Sequence, residues 1–376
     1  MIKITIAGDF ATTDRGESAV LAKTAFSEEI VRLFQQSDLS IVNLEEPIAL
    51  DKRKAIKKVG PNLSTIKESI PYLKECGIDV VTLANNHFLD YGKHGAEMTI
   101  KLLKDNNLDY VGAGLTDNEK RRIYYHSDGD TRIAILNYCE YEFSIADGYG
   151  CNHMNPFVVY EDILEAKSKA DVTIIITHGG HEGYNKPSPR MQELYRFFIS
   201  AGADVVINHH QHCYSGYEEY KNGYIYYGLG NLFFDHQVVK KHEKGWNEGF
   251  ILELIIEKGI IKDINRYPYR QCVGNNVTVE LLKGNVINEF ERDLDSLNKI
   301  VNNLELLTDN FQVFVEQQKK NYLTSFSPYT GRILKALCRR SLLPSFITKK
   351  KKLEYLNLFQ CESHHDVCKT LLKEMQ

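Results

Sequence analysis

The sequence predicts an α/β fold over residues 1–284 and a helical region over residues 285–376. Three observations carry this. Short apolar runs that read as buried strands recur between Lys3 and Ile264, separated by segments with apolar residues at helical spacing. Several of these runs end abruptly in Asp, Glu, Asn or His, the position where α/β sheets hold their ligands. From Val286 onward the strand signal stops and the pattern becomes helical and lysine-rich.

Composition narrows the class. Apolar residues make up 43% of the chain and charged residues 26%, as in a soluble globular protein, and 376 residues suffice for one large domain plus an appendage. A formal charge of −4 gives no bulk attraction to nucleic acid, so no nucleic-acid partner is expected. The opening MIKITIAGDF has neither the basic nor the apolar region of a signal peptide and reads directly as a core strand. No run of about 18 apolar residues is present that would span a membrane. The eight cysteines are scattered without a CxxC pair and read as reduced thiols. Together these features predict a cytoplasmic protein, at most peripheral at the membrane.

The elements follow in order. Lys3 to Ala7 alternates Ile with small or polar residues and ends at Gly8-Asp9. Asp9 reads either as a turn aspartate or as a hard oxygen ligand. Glu17 to Phe34 has helical spacing. Asp38 to Asn43 is a second strand, followed by Glu45 and Glu46 and stopped by Pro47. The lysine-rich Asp51 to Val59 reads as a solvated loop; the alternative is reach over an anionic substrate. Ser64 to Cys76 is helical, interrupted near Pro71. Ile78 to Ala84 is a third strand that runs into Asn85, Asn86, His87 and Asp90. A helix over Gly95 to Asp105 leads to a strand over Tyr110 to Gly114.

Arg132 to Asn137 and Asp171 to Thr177 are further strands, with a helix over Glu161 to Ala170 between them. The second ends at His178, with His181 and Glu182 just beyond. A helix from Ser188 to Ser200 enters the densest stretch, Gly202 to Asp235, which holds the strand Val205–Ile207, then His209, His210 and His212, then Tyr224–Tyr227 and Asn231. Strand alternation would turn His210 and His212 the same way and His209 elsewhere. Gly249 to Glu257 and Gly259 to Ile264 alternate around a Lys-Gly turn and form a hairpin. Residues 331–353 mix cations and apolar residues around Pro344. That stretch reads as a solvated helical appendage, or as a contact for a partner protein or anionic lipid.

Five strand ends therefore carry Asp9, Glu45, Asn86 with His87, His178, and His210 with His212. Core packing does not explain five such ends in one chain. Carboxylates and imidazoles that converge need positive charge between them. Two divalent cations satisfy them all, and mixed oxygen and nitrogen donors suit Mn, Fe or Zn better than Ca.

The pieces IAGDF, IVNLEEP, TLANNHFLDYG, THGGHEGY, GADVVINHHQH and YYGLGNLFFD, spanning residues 2 to 235, resemble the capsule-synthesis CapA-like family of the calcineurin-like metallophosphoesterase superfamily. The resemblance implies a metallophosphatase-like four-layer sandwich, two mixed sheets flanked by helices. It implies Asp9, Glu45 and His212 on one metal ion, with Glu45 at the bridging position, and Asn86, His178 and His210 on the other. It implies His87 as general acid or transition-state stabiliser. Asp90, Glu182 and Asn231 belong to the same motifs, as groups that orient the imidazoles or as turn and cap residues. Where the superfamily has a histidine two residues after the first aspartate, this chain has Ala11, so one ion loses a ligand.

The function implied is metal-dependent hydrolase or transferase chemistry in the synthesis of a capsule or other surface polymer, poly-γ-glutamate or polysaccharide, with an anionic polymer or phosphoester as substrate. The alternative is a non-catalytic subunit of a capsule-assembly complex with a structural or vestigial metal site. Its basic C-terminal region would then dock to assembly proteins or the membrane surface.

Overall fold

In a computed structural model, which describes residues 1–235, 245–360 and 372, the chain divides into two compact units, Met1–Thr308 and Asp309–Gln376. The first unit is built on two mixed sheets. In one, β1 (Ile2–Ala11), β2 (Leu39–Leu44), β3 (Val80–Thr82) and β4 (Asp109–Val111) lie parallel and adjacent in that order. The other contains β6 (Tyr124–Asp128), β7 (Thr131–Cys139), β9 (Val172–His178), β10 (Val205–His209), β11 (Tyr217–Tyr220) and β12 (Gly223–Tyr226), in the order β11-β12-β10-β9-β7-β6. A small ladder joins β5 (Ala113–Gly114) to β8 (Gly150–Cys151). The chain then returns to the first sheet. There β13 (Asn231–Phe234) pairs parallel with the end of β1, and β14 (Glu248–Glu257), β15 (Ile260–Gln271) and β16 (Val279–Leu281) extend the sheet antiparallel beyond β1.

Side-chain alternation builds the layers. Ile4, Ile6, Ile41 and Val80 of the first sheet meet Ile174, Ile176, Val205 and Ile207 of the second in one apolar layer. The intervening residues point outward. Ala7, Val42 and Val81 pack on α1 (Gly16–Leu21), α2 (Glu28–Gln35), α3 (Ser69–Glu75) and α4 (Gly92–Asp105). Ile175 and Val206 pack on α6 (Pro156–Lys169) and α7 (Pro189–Ala201), while α5 (Asp117–Lys120) is a single turn. The result is the expected four-layer sandwich. Burying one such isoleucine stabilises by about 1.5–3 kcal/mol. A one-residue slip would exchange the two faces of a strand, so register is strongly specified.

Several elements differ from their sequence reading. The single helix expected over Glu17 to Phe34 is two, because the chain turns at Lys23 (φ 58°) and restarts at Ser27, whose hydroxyl caps α2 by accepting from Ile30 N. The strand expected over Tyr110 to Gly114 breaks into β4 and β5 at Gly112 (φ +90°), where a Cβ would lie 1.8 Å from Asn137 Oδ1. The helix expected over Ser64 to Cys76 is ordered as α3 only from Ser69.

The composition shift at Gly284 marks the change from strand to helix, yet the first compact unit continues to Thr308. The reason is α8 (Asn285–Val301), whose Phe290, Leu294 and Leu297 join the apolar layer between the sheets. Three helices follow: α9 (Leu304–Ser325), α10 (Arg332–Arg339) and α11 (Lys349–Gln360). No described helix is long and apolar enough to cross a membrane. No disulfide joins the described cysteines; Cys361 and Cys368, with the end of the C-terminal region, lie outside the described residues.

Candidate metal centre

The polar strand ends converge from both sheets. Asp9 lies near the end of β1, Glu45 just after β2, and Asn86 and His87 just after β3. His178 ends β9 and His209 ends β10, and the two are register partners in the second sheet. His210 and His212 lie beyond the strand and adopt left-handed backbone, φ 88° and 57°. The alternation expected of them therefore stops at His209, and the turn instead brings all three histidines toward Asp9.

Two clusters result. In the first, Asp9, Glu45 and His212 each offer a donor atom, all within 4.8 Å of one another and all buried. His212 Nε2 lies 3.6 Å from Glu45 Oε1, and its Nδ1 lies 2.9 Å from Asn231 Oδ1. With Nδ1–H donating to Asn231, Nε2 is the nitrogen that faces Glu45. In the second cluster, His178 Nε2 lies 3.0 Å from Asn86 Oδ1 and 3.1 Å from His210 Nδ1. Asp9 links the two: its Oδ2 accepts from His210 N at 3.3 Å, and its Oδ1 lies 3.9 Å from His178 Nδ1.

The electrostatics are those of an uncompensated site. Both carboxylate oxygens of Glu45 are buried without a hydrogen-bond donor among the described residues. Burial pushes the Glu45 carboxyl well above its ordinary range. Burial would also raise Asp9, but His212, His178 and His209 outweigh it and hold Asp9 low. Burial would lower His212, but Glu45 and Asp9 raise it to about 10. Burial, with His210 nearby, drives His178 well down, and burial lowers His210 to about 4, so both are neutral at pH 7. A buried carboxylate without donors, beside two neutral imidazoles and a second carboxylate, is a donor set that fits divalent cations.

His87 stands beside this group. Its Nδ1 lies 2.7 Å from Asp90 Oδ2, and its backbone N donates to Asn85 Oδ1 at 3.0 Å. Burial lowers its pKa, with Asp90 acting in the opposite sense. The other oxygen of Asp90 pairs with Lys58, whose ammonium also lies 3.3 Å from His87 Nδ1. Glu182 is exposed at the edge of the site. Burial of its carboxyl would raise it, but His212, His210 and His87 hold it low.

Three residues that the sequence did not assign to the site stand within it. Asn43 donates to Asp9 Oδ1 at 2.7 Å, and its place between IV and LE was the available signal. His209 has both ring nitrogens buried and without a hydrogen-bond partner among the described residues, with Nδ1 3.9 Å from Asp9 Oδ1. Lys58 sits in the segment read as a solvated loop, yet its side chain is 2% exposed. Nothing in a run of lysines distinguishes the one that folds inward. At Ala11, where the superfamily resemblance implied a histidine, an apolar cluster of Ala11, Phe234 and Trp246 forms, and the Phe234 and Trp246 rings lie 5.2 and 4.9 Å from the His212 ring.

A two-sheet α/β sandwich with acidic and imidazole side chains gathered at its strand ends is the class that fold and site define. The model of the bacterial capsule synthesis protein family PGA_cap matches residues 3–236, and the chain belongs to that family. It is 37% identical over 211 residues to the capsule biosynthesis protein CapA of Bacillus anthracis, covering 54% of this chain and 51% of that protein. It is 34% identical over 213 residues to the PGA biosynthesis protein CapA of Bacillus subtilis, covering 54% and 55%. The chain thus spans about half the length of these curated relatives. Among solved structures, a phosphatase from Mycoplasma pneumoniae aligns at 16% identity over 71% of this chain and 92% of that one, with a TM-score of 0.46.

Proposed function

We propose that the centre binds two divalent cations, Mn, Fe or Zn, and hydrolyses a phosphoester or amide bond in the making of a capsular polymer, poly-γ-glutamate or polysaccharide. Asp9, Glu45 and His212 would hold one ion and Asn86, His178 and His210 the other. The observation that carries the reading is Glu45, a fully buried carboxylate with no hydrogen-bond donor among the described residues, inside a cluster of ligand-type atoms. When bound, the ions supply Lewis-acid polarisation and positive charge for the displacement.

The remaining chemistry belongs to the protein. Asn231 fixes the His212 ring through Nδ1, and Asn43 holds Asp9. Asp90 holds His87 in a fixed orientation and favours its protonated form against burial, and in that form His87 would protonate the leaving group. Lys58 neutralises Asp90 on its other oxygen. An anionic substrate is favoured because its charge would meet the ions.

One feature favours the second reading, a non-catalytic assembly subunit: the apolar cluster around Ala11, which leaves the first ion three protein ligands. Three are enough for a catalytic site with open positions. The two readings are separated by assaying the purified chain against a generic phosphodiester and a γ-glutamyl amide with Mn or Zn present. Turnover of either, abolished by His178→Ala, supports the hydrolase. No turnover of either, with folding intact, shifts the assignment to the assembly subunit.

A further inference from the structure

The second unit carries a feature that the proposed metal chemistry does not use. Between Gly331 and Leu353 the sequence has eight cations, at positions 332, 335, 339, 340 and 349–352, and no carboxylate. Part of this charge lines a cavity of about 210 Å³ that includes Lys320, Arg339 and Lys352 together with Thr324, Ser327 and Ser341. Among the described residues, no acidic side chain lines it and no carboxylate pairs with any of the three cations. Like charges gathered without a counter-ion repel one another and destabilise the unit that holds them.

A second observation points the same way. Lys349 to Lys352 occupy the first turn of α11, which holds no acidic residue, although cations at a helix N-terminus oppose its macrodipole. Among the described residues only Lys351 reaches a carboxylate, Glu354 at 3.0 Å. The same segments also expose large apolar side chains: Ile333 is 76%, Leu342 65%, Phe346 59% and Leu353 68% exposed. A free phosphate has no use for such apolar surface. A phospholipid bilayer supplies the anion and the apolar layer together.

We infer that the second unit is a peripheral membrane-binding module that seats the phosphate of an anionic phospholipid against Lys320, Arg339 and Lys352. Ile333, Leu342, Phe346 and Leu353 enter the headgroup boundary around it.

The test mixes the full chain with vesicles of phosphatidylcholine alone, or of phosphatidylcholine with phosphatidylglycerol, and measures the fraction that sediments with lipid. Binding is expected only with phosphatidylglycerol, weakening as salt rises from about 0.1 to about 0.5 M. The K320A/R339A/K352A variant is expected to bind about a hundredfold more weakly, since each cation near an anionic surface contributes about 1 kcal/mol. An I333S/L353S variant changes only exposed side chains and is expected to lose binding while keeping its fold. Equal binding to both vesicle types, no binding to either, or unchanged binding by both variants overturns the inference. Full displacement by inorganic phosphate assigns the cavity to a free anion and also overturns it. Capture of a protein by a chain that ignores both vesicle types would make the surface a protein contact instead.

Discussion

Glu45 and His212 set the terms at the level of single residues. The Glu45 carboxylate is buried without donors, so in the metal-free chain its charged form is strongly disfavoured. Replacing Glu45 with Gln is expected to abolish ion retention at the first cluster while leaving the melting temperature of the metal-free chain unchanged or higher, as thermal melts with chelator would show. His212 gives a pH dependence. Its metal-free pKa is raised from 6.5 to about 10, so at neutral pH an arriving ion must displace its proton. Ion affinity is therefore expected to fall at least tenfold for each pH unit lost, measurable by metal titration at about pH 6 and pH 8. The sign for the metal-free fold is opposite. The share of stability due to His212 is full below 6.5 and is lost as pH rises toward 10. Replacing His87 with Ala is expected to lower kcat by about 10²–10⁴-fold with ion content unchanged. Lys58→Met should lower kcat as well, again without loss of ions, because Lys58 acts through Asp90.

Elements decide whether those residues meet. Asp9 is held where β1 runs beside β2 on one side and β13 on the other, and β13 approaches so closely that a Cβ on Gly8 would lie 1.8 Å from Gly230 O. Gly8→Ala is therefore expected to cost about 3 kcal/mol or more, seen as a lower denaturation midpoint, and to weaken ion retention with it. The strands that carry the site were legible in the sequence, because a buried strand is a short apolar run and each ends in a residue the core would not choose. The pairing of β13 with β1 was not, since Asn231–Phe234 has no alternation to mark it. Nor was the convergence of His209, His210 and His212, which depends on left-handed backbone at two histidines rather than on strand period. The inward fold of Lys58 and the break between α1 and α2 are likewise set by tertiary partners, Asp90 for the lysine and the Ser27 cap for the helix.

For the whole molecule, the two sheets supply both clusters between them: Asp9, Glu45 and Asn86 come from the first, and His178, His210 and His212 from the second. Ions bound there would tie the two sheets together. Chelation is therefore expected to lower the melting temperature, and each site held at about 100 times its Kd would add about 2.7 kcal/mol of stability. Membership of the capsule synthesis family accounts for residues 3–236, and the second unit adds a surface of its own. The most direct test of the central claim is elemental analysis of the chain purified without chelator and then supplied with Mn or Zn. The account predicts about two ions per chain, falling to about one in Glu45→Gln. A chain that retains no ion after both metals have been offered would contradict it.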